Sequence, residues 1–402
     1  MPYDAIIIGG GPAGSSAAIS LQGRGARALV LEEKHMPRGK LCGEFITPEC
    51  FASLERLGVM DRMISAGAQK LSQVSLVVPS GKSVQSDISN VSHNESWALS
   101  LSRARFDQIL FDRAREIGAE CLEGIAVSGC QFEAAGGRVE ALSLKEGKKF
   151  KFDAPVIIDA SGRNSRSMVN RRERVAGRRG SRLYALKAHF RGVEGIGDRV
   201  ELYFFTQGYG GLSRVEDGLA NLCFIVSEQA LKDAEGDPAK VIKHTVMTNP
   251  IASDRLRNAE MVGKWYSTGP LSFGQRHLSR NGIIAVGDAS GMIDPFTGTG
   301  LQMALRTGEI AADAISESVC DRGLTNDSGD MDNQLQIIES AIERYRTAYK
   351  AEFNNRMRAA GLLRSIAFSP QAAGIVASVL ARTPKLTDLM LRATRSGSGA
   401  AG

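Results

Sequence analysis

Several features that mark particular classes of protein are missing from the chain. None of its six cysteines, at positions 42, 50, 121, 130, 223 and 320, stands in a Cys-x-x-Cys or Cys-x-x-His pair, which argues against a zinc ribbon or a cluster-ligand motif. No apolar run is long enough to span a membrane, and the start MPYDAIIIGGG lacks the basic segment of a signal peptide. These absences predict free thiols in a reducing cytoplasm.

A strong charge imbalance is also missing. The 50 Lys and Arg residues nearly balance the 44 Asp and Glu residues, and the net charge of +6 does not favour nucleic acid as a partner. A hydrophobic fraction of 43% excludes a disordered chain. The length of 402 residues suggests two or three domains, or one large α/β body with an insertion.

The N-terminal segment carries the first positive signal. Residues 4–8 form a β-branched apolar run typical of a parallel strand that is buried on both faces. The sequence GGGPAG follows, then an Ala-rich helix predicted over residues 15–22, then a second strand that ends at Glu32. This order of strand, Gly-rich turn, helix and strand predicts a dinucleotide site.

Each glycine of this motif has a physical role in such a site. Gly9 permits the tight turn, Gly11 lets the backbone approach a pyrophosphate, and Gly14 lets the helix pack closely on the strand. The helix N-terminus offers free N–H groups to the phosphates, and the Glu32 carboxylate can accept hydrogen bonds from ribose hydroxyls. The motif alone leaves FAD and NAD open.

Two later segments decide between these cofactors. Residues 156–165 read VIIDASGRNS, a buried strand that ends in Asp159 with Gly162 shortly after it. Residues 282–300 read GIIAVGDASGMIDPFTGTG, a strand that ends in Gly287 and Asp288, and a helix is predicted over residues 301–315. With LEE, KLCGE and SRARFD, these motifs resemble the flavoproteins of the p-hydroxybenzoate-hydroxylase fold, most of all the geranylgeranyl reductases and related flavoenzymes.

The resemblance covers residues 1–320 and implies FAD as the cofactor. It also implies an α/β fold: a discontinuous Rossmann-type FAD-binding domain, an inserted antiparallel β-sheet substrate domain and a C-terminal helical segment. Asp288 would accept from the ribitol hydroxyls, and the helix after Gly300 would direct its positive end at the flavin N1/O2 edge. Arg103 is favoured over Arg105 for the phosphate region. The implied cofactor-binding residues are Gly9, Gly11, Pro12, Ala13, Gly14, Glu32, Glu33, Arg103, Asp159, Gly162, Gly287, Asp288, Pro295, Gly298, Thr299 and Gly300.

The rest of the chain suggests a domain map. Residues 1–72, 98–183 and 272–320 are assigned to the FAD-binding domain, and residues 73–97 and 184–271 to the substrate domain. Strands are predicted over residues 74–78, 185–190, 200–205 and 221–226, and a hairpin over residues 136–152. A linker at 321–332, helices at 333–393 and a disordered tail at 394–402 complete the map.

Two residues are candidates for catalysis. By analogy with the Lys-x-Cys-Gly motif of geranylgeranyl reductases, Cys42 would lie beside the flavin or at the mouth of the substrate cavity, where its thiol could give a proton or simply be buried. Tyr209 stands where relatives carry a Tyr-x-Trp-x-x-Pro segment over the flavin, but the tryptophan is absent. Lys187 and His189 share one strand face, which we expect to be an exposed face rather than a site.

Basic residues are concentrated between positions 163 and 182, where eight arginines accompany one acid. This connector could attract the phosphate of NADPH, a prenyl diphosphate or an anionic membrane, or it could be a solvated loop. The chain is expected to be cytoplasmic, and peripheral membrane association through this connector stays open.

Three functions remain open on the sequence. The chain has a single GxGxxG motif, so NADPH or NADH would bind transiently at the surface, or another protein would deliver electrons. The first function is reduction of a C=C bond in a hydrophobic, prenyl or polyketide-like substrate. It is favoured by KLCGE and by Ser-Gly-Met-Ile-Asp-Pro-Phe in place of the His-Pro-Pro loop of aromatic hydroxylases. The second function is monooxygenation of an aromatic or polyketide substrate, and the third is a non-catalytic FAD-binding module. A halogenase is disfavoured because the motif Trp-x-Trp-x-Ile-Pro is absent from the chain. No metal site is expected.

Overall fold

A six-stranded, mostly parallel sheet forms the centre of the computed structural model, which describes residues 2–92, 95–133, 136–165, 182–322 and 331–367. Its order is β19-β20-β12-β1-β2-β8, and only the edge strand β19 runs antiparallel to its neighbour. The strands are β1 Ala5–Ile8, β2 Ala28–Glu32, β8 Glu120–Glu123, β12 Val156–Asp159, β19 Ser279–Arg280 and β20 Ile283–Ala285.

Both faces of this sheet are covered, which explains the continuous apolar runs of its strands. Ile7 and Val30 point to the helical side, while Ile6 and Leu29 pack against a three-stranded antiparallel sheet. That sheet comprises β9 Ile125–Glu133, β10 Gly136–Ser143 and β11 Lys149–Ala154. The pairing of β10 with β11 confirms the predicted hairpin.

Helices fill the other side. They are α1 Pro12–Gln22, α2 Phe51–Arg56, α3 Met60–Ser65, α4 Ile88–Val91, α5 Arg103–Glu116, α9 Gly300–Arg322 and α10 Met331–Ala367, of which α4 lies apart, directly after strand β6 Ser83–Asp87. Helices α1 and α9 approach each other closely at Gly308, where a Cβ would overlap the Ala13 carbonyl oxygen. The helix predicted over 301–315 therefore exists and extends to Arg322.

A seven-stranded sheet lies beside the parallel one. Its order is β17-β13-β16-β15-β14-β5-β6, and all its pairs are antiparallel except that of β14 with β5. Its strands are β5 Gln73–Val77, β6 Ser83–Asp87, β13 Leu183–Arg191, β14 Arg199–Phe205, β15 Gly208–Arg214, β16 Ala220–Ser227 and β17 Glu260–Thr268. Four of them match the predicted strands to within a residue or two at their ends, whereas β6, β15 and β17 were not predicted.

Short helices cover the outer face of this sheet, and its inner face is turned toward the parallel sheet. They are α6 Glu228–Asp233, α7 Pro238–His244 and α8 Pro250–Leu256, whose apolar residues join one core with the outer face of the strands. Two small sheets complete the fold: β3 Phe45–Ile46 and β4 Gln69–Leu71 flank β7 Ala98–Ser100, and β18 Gly274–Gln275 pairs with β21 Gly291–Met292.

Some predictions lie wholly or partly outside the described residues. The predicted linker is helical at residues 321–322 and 331–332, and its centre lies outside the described ranges, as do residues 166–181 of the basic connector and the C-terminal tail. The domain limits stay a prediction. Within the part of the chain that the structure describes, no helix has the length and apolar character needed to cross a bilayer.

Candidate active site

One cavity lies between the carboxyl ends of the parallel strands and the inner face of the seven-stranded sheet. Three of its lining segments directly follow adjacent strands, at Gly11 after β1, at Gly162 after β12 and at Gly287 after β20. Ligands of open parallel sheets bind at this edge. Among the predicted cofactor residues, those that line the cavity are Gly11, Pro12, Ala13, Arg103, Gly162, Gly287, Asp288, Pro295, Gly298 and Gly300.

The glycines of the N-terminal motif occupy the places that their predicted roles require. Gly9 has φ +103°, and a Cβ there would lie 2.6 Å from the Ala160 carbonyl oxygen. A Cβ on Gly14 would overlap the Gly9 carbonyl oxygen, so only glycine permits this helix–strand contact. At Gly11 the nearest atom to such a Cβ is a guanidinium nitrogen of Arg38 at 3.4 Å, so this backbone faces the cavity.

Glu32 fixes the turn before α1 and does not itself line the cavity. Its buried carboxylate accepts hydrogen bonds from the Gly10 N–H at 2.8 Å and from the Lys34 N–H at 3.0 Å, and pairs with Arg38 at 3.3 Å. Arg38, which sequence reasoning missed, also pairs with Asp107 at 3.2 Å. Glu33 is exposed and lies outside the cavity lining.

Asp159 has a comparable supporting position. Its carboxylate, 1% exposed, accepts from the Ser161 N–H at 2.9 Å, from the Ser161 hydroxyl at 2.6 Å and from the Ser165 hydroxyl at 2.6 Å. These bonds shape the turn that presents Gly162 to the cavity, while Asp159 itself is absent from the lining. Asp159 therefore positions this part of the site.

The loop before α9 shapes the opposite end of the cavity. The Gly287 N–H donates to the Thr307 hydroxyl at 2.8 Å, and the half-buried Asp288 lines the cavity. Gly298 has φ +69°, and the buried Thr299 hydroxyl lies 2.8 Å from the Thr297 hydroxyl, where it stabilises the loop and does not line the cavity. Helix α9 begins at Gly300, where a Cβ would meet nothing within 4 Å.

The first turns of two helices thus face the same cavity, α1 at Pro12 and α9 at Gly300. Each turn offers free N–H groups and a partial positive charge. At Gly11 the backbone is open to the cavity, where the pyrophosphate of an extended cofactor could lie near α1. At Gly300 the space beside the backbone is open, where an electron-accepting ring could lie near α9. The cavity residues therefore fit FAD.

The two candidate arginines have different surroundings. Arg103 lines the cavity, is 6% exposed and pairs with Asp107 through bonds of 2.6 and 2.8 Å. Burial alone would lower the pKa of Arg103, but Asp107 and the adjacent Cys42 thiol raise it above its ordinary value. Arg105 points away, and its guanidinium bonds the Ala66 carbonyl and Asp217.

Cys42 lies in the cavity lining, on the loop between Lys40 and Glu44. The residue is half-buried, and its sulfur accepts a hydrogen bond from the Glu44 N–H at 3.3 Å and lies near the Arg103 side chain, which also lines the cavity. Its carbonyl accepts from Asn221 Nδ2 at 3.1 Å. Free thiols are found at Cys42, Cys50, Cys121, Cys130 and Cys223.

Glu44 connects this loop to the seven-stranded sheet, and sequence reasoning missed it although it is the last letter of KLCGE. The residue is fully buried and has φ +57°, a conformation that costs free energy for any residue with a Cβ. Its carboxylate accepts from Lys187, from His189 Nε2 at 2.6 Å and from the Arg103 N–H at 2.8 Å. Burial alone would raise the pKa of Glu44, but His189 and Lys187 hold it below its usual range.

The expectation that Lys187 and His189 form an exposed face is wrong. Lys187 is completely buried, and the side chain of His189 is 20% exposed. The physical reason is the ion pair with Glu44, because a buried ammonium needs a carboxylate partner. Lys40, which also lines the cavity, has a lowered pKa because of burial and the nearby Arg103.

Tyr209 lies in strand β15, where it lines the cavity and is 4% exposed. Its hydroxyl donates a hydrogen bond to Asp294, and its ring meets Phe296 edge-on at 5.6 Å between centroids. Asp294 in turn accepts from the Phe296 N–H at 3.0 Å at the start of the turn that ends in Gly298. Tyr209 therefore ties the seven-stranded sheet to the loop before α9.

Comparison with known proteins identifies relatives with two kinds of chemistry. The chain is 23% identical to a 1H-pyrrole-2-carbonyl-(peptidyl-carrier protein) chlorinase of Pseudomonas fluorescens over 79% of this chain and 76% of that protein. It is 28% identical to digeranylgeranylglycerophospholipid reductase 1 of Methanothermobacter thermautotrophicus over 78% of each. The flavin-dependent brominase Bmp2 superposes with a TM-score of 0.77 at 23% identity, covering 98% of this chain and 93% of that one, which shows a shared fold.

The family follows from these matches together with the cavity. The predicted α/β fold with its Rossmann-type FAD-binding sheet is confirmed. A family model described as FAD binding domain matches residues 2–317. The chain therefore belongs to the FAD binding domain family and is an FAD-dependent enzyme of the p-hydroxybenzoate-hydroxylase fold, with halogenases and geranylgeranyl-type reductases among its relatives.

Proposed function

We propose that this enzyme reduces a C=C bond of a hydrophobic, prenyl or polyketide-like substrate, with NADPH or NADH as the electron donor. The wall that the seven-stranded sheet contributes to the cavity is largely apolar at Val74, Val200, Leu202 and Ile225. This wall faces the first turn of α9, beside which the flavin ring would lie. When bound, FAD supplies hydride from N5. The single observation that carries the proposal is the thiol of Cys42 held within this same cavity.

Reduction of a C=C bond needs a proton as well as a hydride. We assign the proton to Cys42, whose S–H bond breaks as the proton moves to the carbon next to the one that receives hydride. The sulfur then carries a negative charge, which the Glu44 N–H at 3.3 Å and the Arg103 guanidinium would stabilise. A proton from solvent restores the thiol. The apolar wall orients the substrate and excludes water from the reacting carbons.

Cys42→Ser tests this role. Serine keeps the size of the side chain but is a far weaker acid, so we expect kcat to fall by about 10²-fold or more while bound FAD stays at its wild-type level. Cys121→Ser, which alters a half-buried free thiol outside the cavity lining, serves as the matched control. Turnover of Cys42→Ser equal to that of the control refutes a chemical role for the thiol.

Monooxygenation of an aromatic or polyketide-like substrate is the second candidate. It is favoured by the similarity to the chlorinase and by the adjacent Gly210 and Gly211, which both line the cavity and carry no side chain. The two reactions separate when the enzyme is reduced without oxygen, mixed with an unsaturated prenyl lipid or an alkylphenol, and then exposed to oxygen. Saturated product formed before oxygen supports reduction, and product that gains one oxygen only afterwards supports the alternative.

We propose a cytoplasmic location with at most peripheral contact with membranes, because a hydrophobic substrate would be drawn from a lipid phase. Cell fractionation with a salt wash of the membrane pellet tests this proposal. The enzyme is expected in the cytosol or in the salt wash. Recovery only after detergent extraction would contradict it.

A further inference from the structure

Two cysteine thiols share the cavity. Among the cysteines whose side chains the structure describes, only Cys42 and Cys223 line it. Cys42 belongs to the loop between β2 and β3, and Cys223 lies in β16 on the inner face of the seven-stranded sheet. Both residues are half-buried. A reagent small enough to enter the cavity can therefore reach both thiols.

Cys223 has two polar neighbours on its own face of the sheet. It is paired in register with Lys187 of β13 on one side and with Gly211 of β15 on the other. Directly opposite residues of an antiparallel pair lie about 5 Å apart and point to the same face. Asn221, two residues earlier in β16, points to this face as well. Because Gly211 has no side chain, the polar side chains beside the Cys223 thiol are those of Lys187 and Asn221.

The same two side chains hold the loop that carries Cys42. Asn221 Nδ2 donates to the Cys42 carbonyl at 3.1 Å. Lys187 pairs with the Glu44 carboxylate, while the Glu44 N–H donates to the Cys42 sulfur at 3.3 Å. Both polar neighbours of Cys223 are therefore bonded either to Cys42 or to the residue that binds its sulfur. The two thiols thus lie close together where the loop meets the sheet.

The surroundings of the two thiols differ in charge. The Cys42 sulfur accepts from the Glu44 N–H and lies near the Arg103 guanidinium, so both groups stabilise a negative charge on it. Burial, and to a smaller extent the nearby Cys42, raises the pKa of the Cys223 thiol to about 12. The thiolate is the form that attacks a peroxide. We therefore expect Cys42 to be oxidised first, while Cys223 beside it is still a thiol.

We propose that Cys42 and Cys223 form an oxidation site, which closes into a disulfide when hydrogen peroxide enters the cavity. The Cys42 sulfur attacks the peroxide, the O–O bond breaks, and the products are a sulfenic acid and water. The Cys223 sulfur then attacks the Cys42 sulfur, so that an S–S bond forms and the S–O bond breaks. The departing oxygen takes the proton of Cys223 and leaves as a second water. Peroxide is reduced, both thiols are oxidised, and a dithiol restores them.

The disulfide has two consequences for the enzyme. It stops reduction of a C=C bond, because Cys42 then has no proton to give; this consequence rests on the proposed function, whereas the disulfide itself does not. It also protects Cys42, since a sulfenic acid that no thiol captures is oxidised further to a sulfinic acid, which thiols do not reduce. The site therefore converts a damaging oxidation into a reversible one.

Peptide mapping after peroxide treatment tests the site without any turnover. The holoenzyme, with no electron donor, is incubated with hydrogen peroxide, and its remaining thiols are blocked with N-ethylmaleimide. It is then digested with trypsin and Glu-C without reduction and analysed by mass spectrometry. Cleavage after Glu44 and Glu49 separates Cys42 from Cys50. We expect a peptide that joins Cys42 to Cys223, and we expect dithiothreitol to remove it.

Two variants separate this pair from general oxidation of thiols. In Cys223→Ser most of Cys42 should become sulfinic acid, whereas the wild type should recover a free Cys42 thiol after dithiothreitol. Cys121→Ser alters a half-buried thiol outside the cavity lining and should form the same disulfide as the wild type.

The wild-type map decides the proposal without requiring any variant to fold. Absence of the peptide that joins Cys42 to Cys223, or joining of Cys42 to another cysteine in its place, would overturn the proposal. Recovery of the Cys42 thiol in Cys223→Ser to the wild-type level would overturn it as well. Failure to reduce C=C bonds would overturn the proposed reaction and leave this oxidation site standing.

Discussion

Replacing Glu44 with glutamine removes the negative charge from a carboxylate that has no exposure to solvent. Glutamine keeps the shape of the side chain but has a single acceptor oxygen, which can take the place of the Oε1 that accepts from the Arg103 N–H, while its NH2 group faces His189 Nε2. The ammonium of Lys187, which is completely buried and has Glu44 as its ion-pair partner, loses its counter-charge. Removing one partner of a buried ion pair costs about 3–5 kcal/mol, so we expect the free energy of unfolding to fall by about 3 kcal/mol.

The pH dependence of this loss follows from the pKa of Glu44. That pKa lies below its ordinary value because the effects of His189 and Lys187 outweigh that of burial. A carboxylate with a depressed folded-state pKa stabilises the fold above its unfolded pKa, and this stabilisation disappears as the pH falls through the folded value. The stability difference between wild type and Glu44→Gln should therefore be largest near neutral pH and shrink in acid.

Urea unfolding, followed by circular dichroism from neutral to acidic pH, measures this difference. Glu201→Gln is the matched control, since Glu201 is a buried carboxylate of β14, in the same sheet as Lys187, that pairs with Arg255 at 3.1 Å and lies outside the cavity lining. The control should lose stability but keep kcat, whereas Glu44→Gln should also lower kcat because the Cys42 loop loses its anchor. A stability loss below about 1 kcal/mol, or one that does not shrink in acid, would refute the reasoning.

Three further predictions concern the cofactor end of the cavity and the thiols. Gly308→Val should force α9 away from α1, because a Cβ at this position overlaps the Ala13 carbonyl oxygen. We expect a lower Tm and a lower FAD content, and wild-type values for both would contradict the packing argument. Tyr209→Phe keeps the edge-on contact with Phe296 but removes the hydrogen bond to Asp294. We expect the free energy of unfolding to fall by about 1 kcal/mol and FAD to dissociate faster on dilution. Thermal unfolding measures the first effect and flavin fluorescence the second. Burial raises the pKa of Cys50 to about 12, so this thiol should not be alkylated by iodoacetamide in the folded protein at mildly alkaline pH; peptide mass spectrometry that finds it modified would count against its burial.

The N-terminal nucleotide site was predictable because its determinants are local. Strand β1, the glycines of GGGPAG, helix α1 and strand β2 follow one another within 32 residues, and each turn or contact has a residue type that it requires. The same holds for the helix after Gly300. In both places the residues that the backbone conformation requires are consecutive in the sequence.

The environment of Lys187 was not predictable for the opposite reason. Alternation along a strand shows which residues share a face, but Glu44, which decides whether that face can be buried, lies 143 residues away in sequence. Strand β15 was missed because GYGG has little strand propensity of its own. It is held by register pairing with β14 and β16 on both sides, and Gly210 is required by its contact with Phe224. The spacing of Arg103 and Arg105 likewise does not show that one lines the cavity and the other bonds Asp217, because both contacts are set by residues distant in sequence.

Quantification of released cofactor tests the central claim, that one cavity between the first turns of α1 and α9 holds FAD. The chain is purified, incubated with FAD, desalted and denatured, and the released nucleotide is identified and counted by chromatography. The account predicts FAD in a one-to-one ratio with the chain in the wild type and a large loss in Gly14→Val, in which a Cβ overlaps the Gly9 carbonyl oxygen. A wild-type protein that stays colourless after incubation, or a Gly14→Val variant that folds and retains a full complement of FAD, would contradict it.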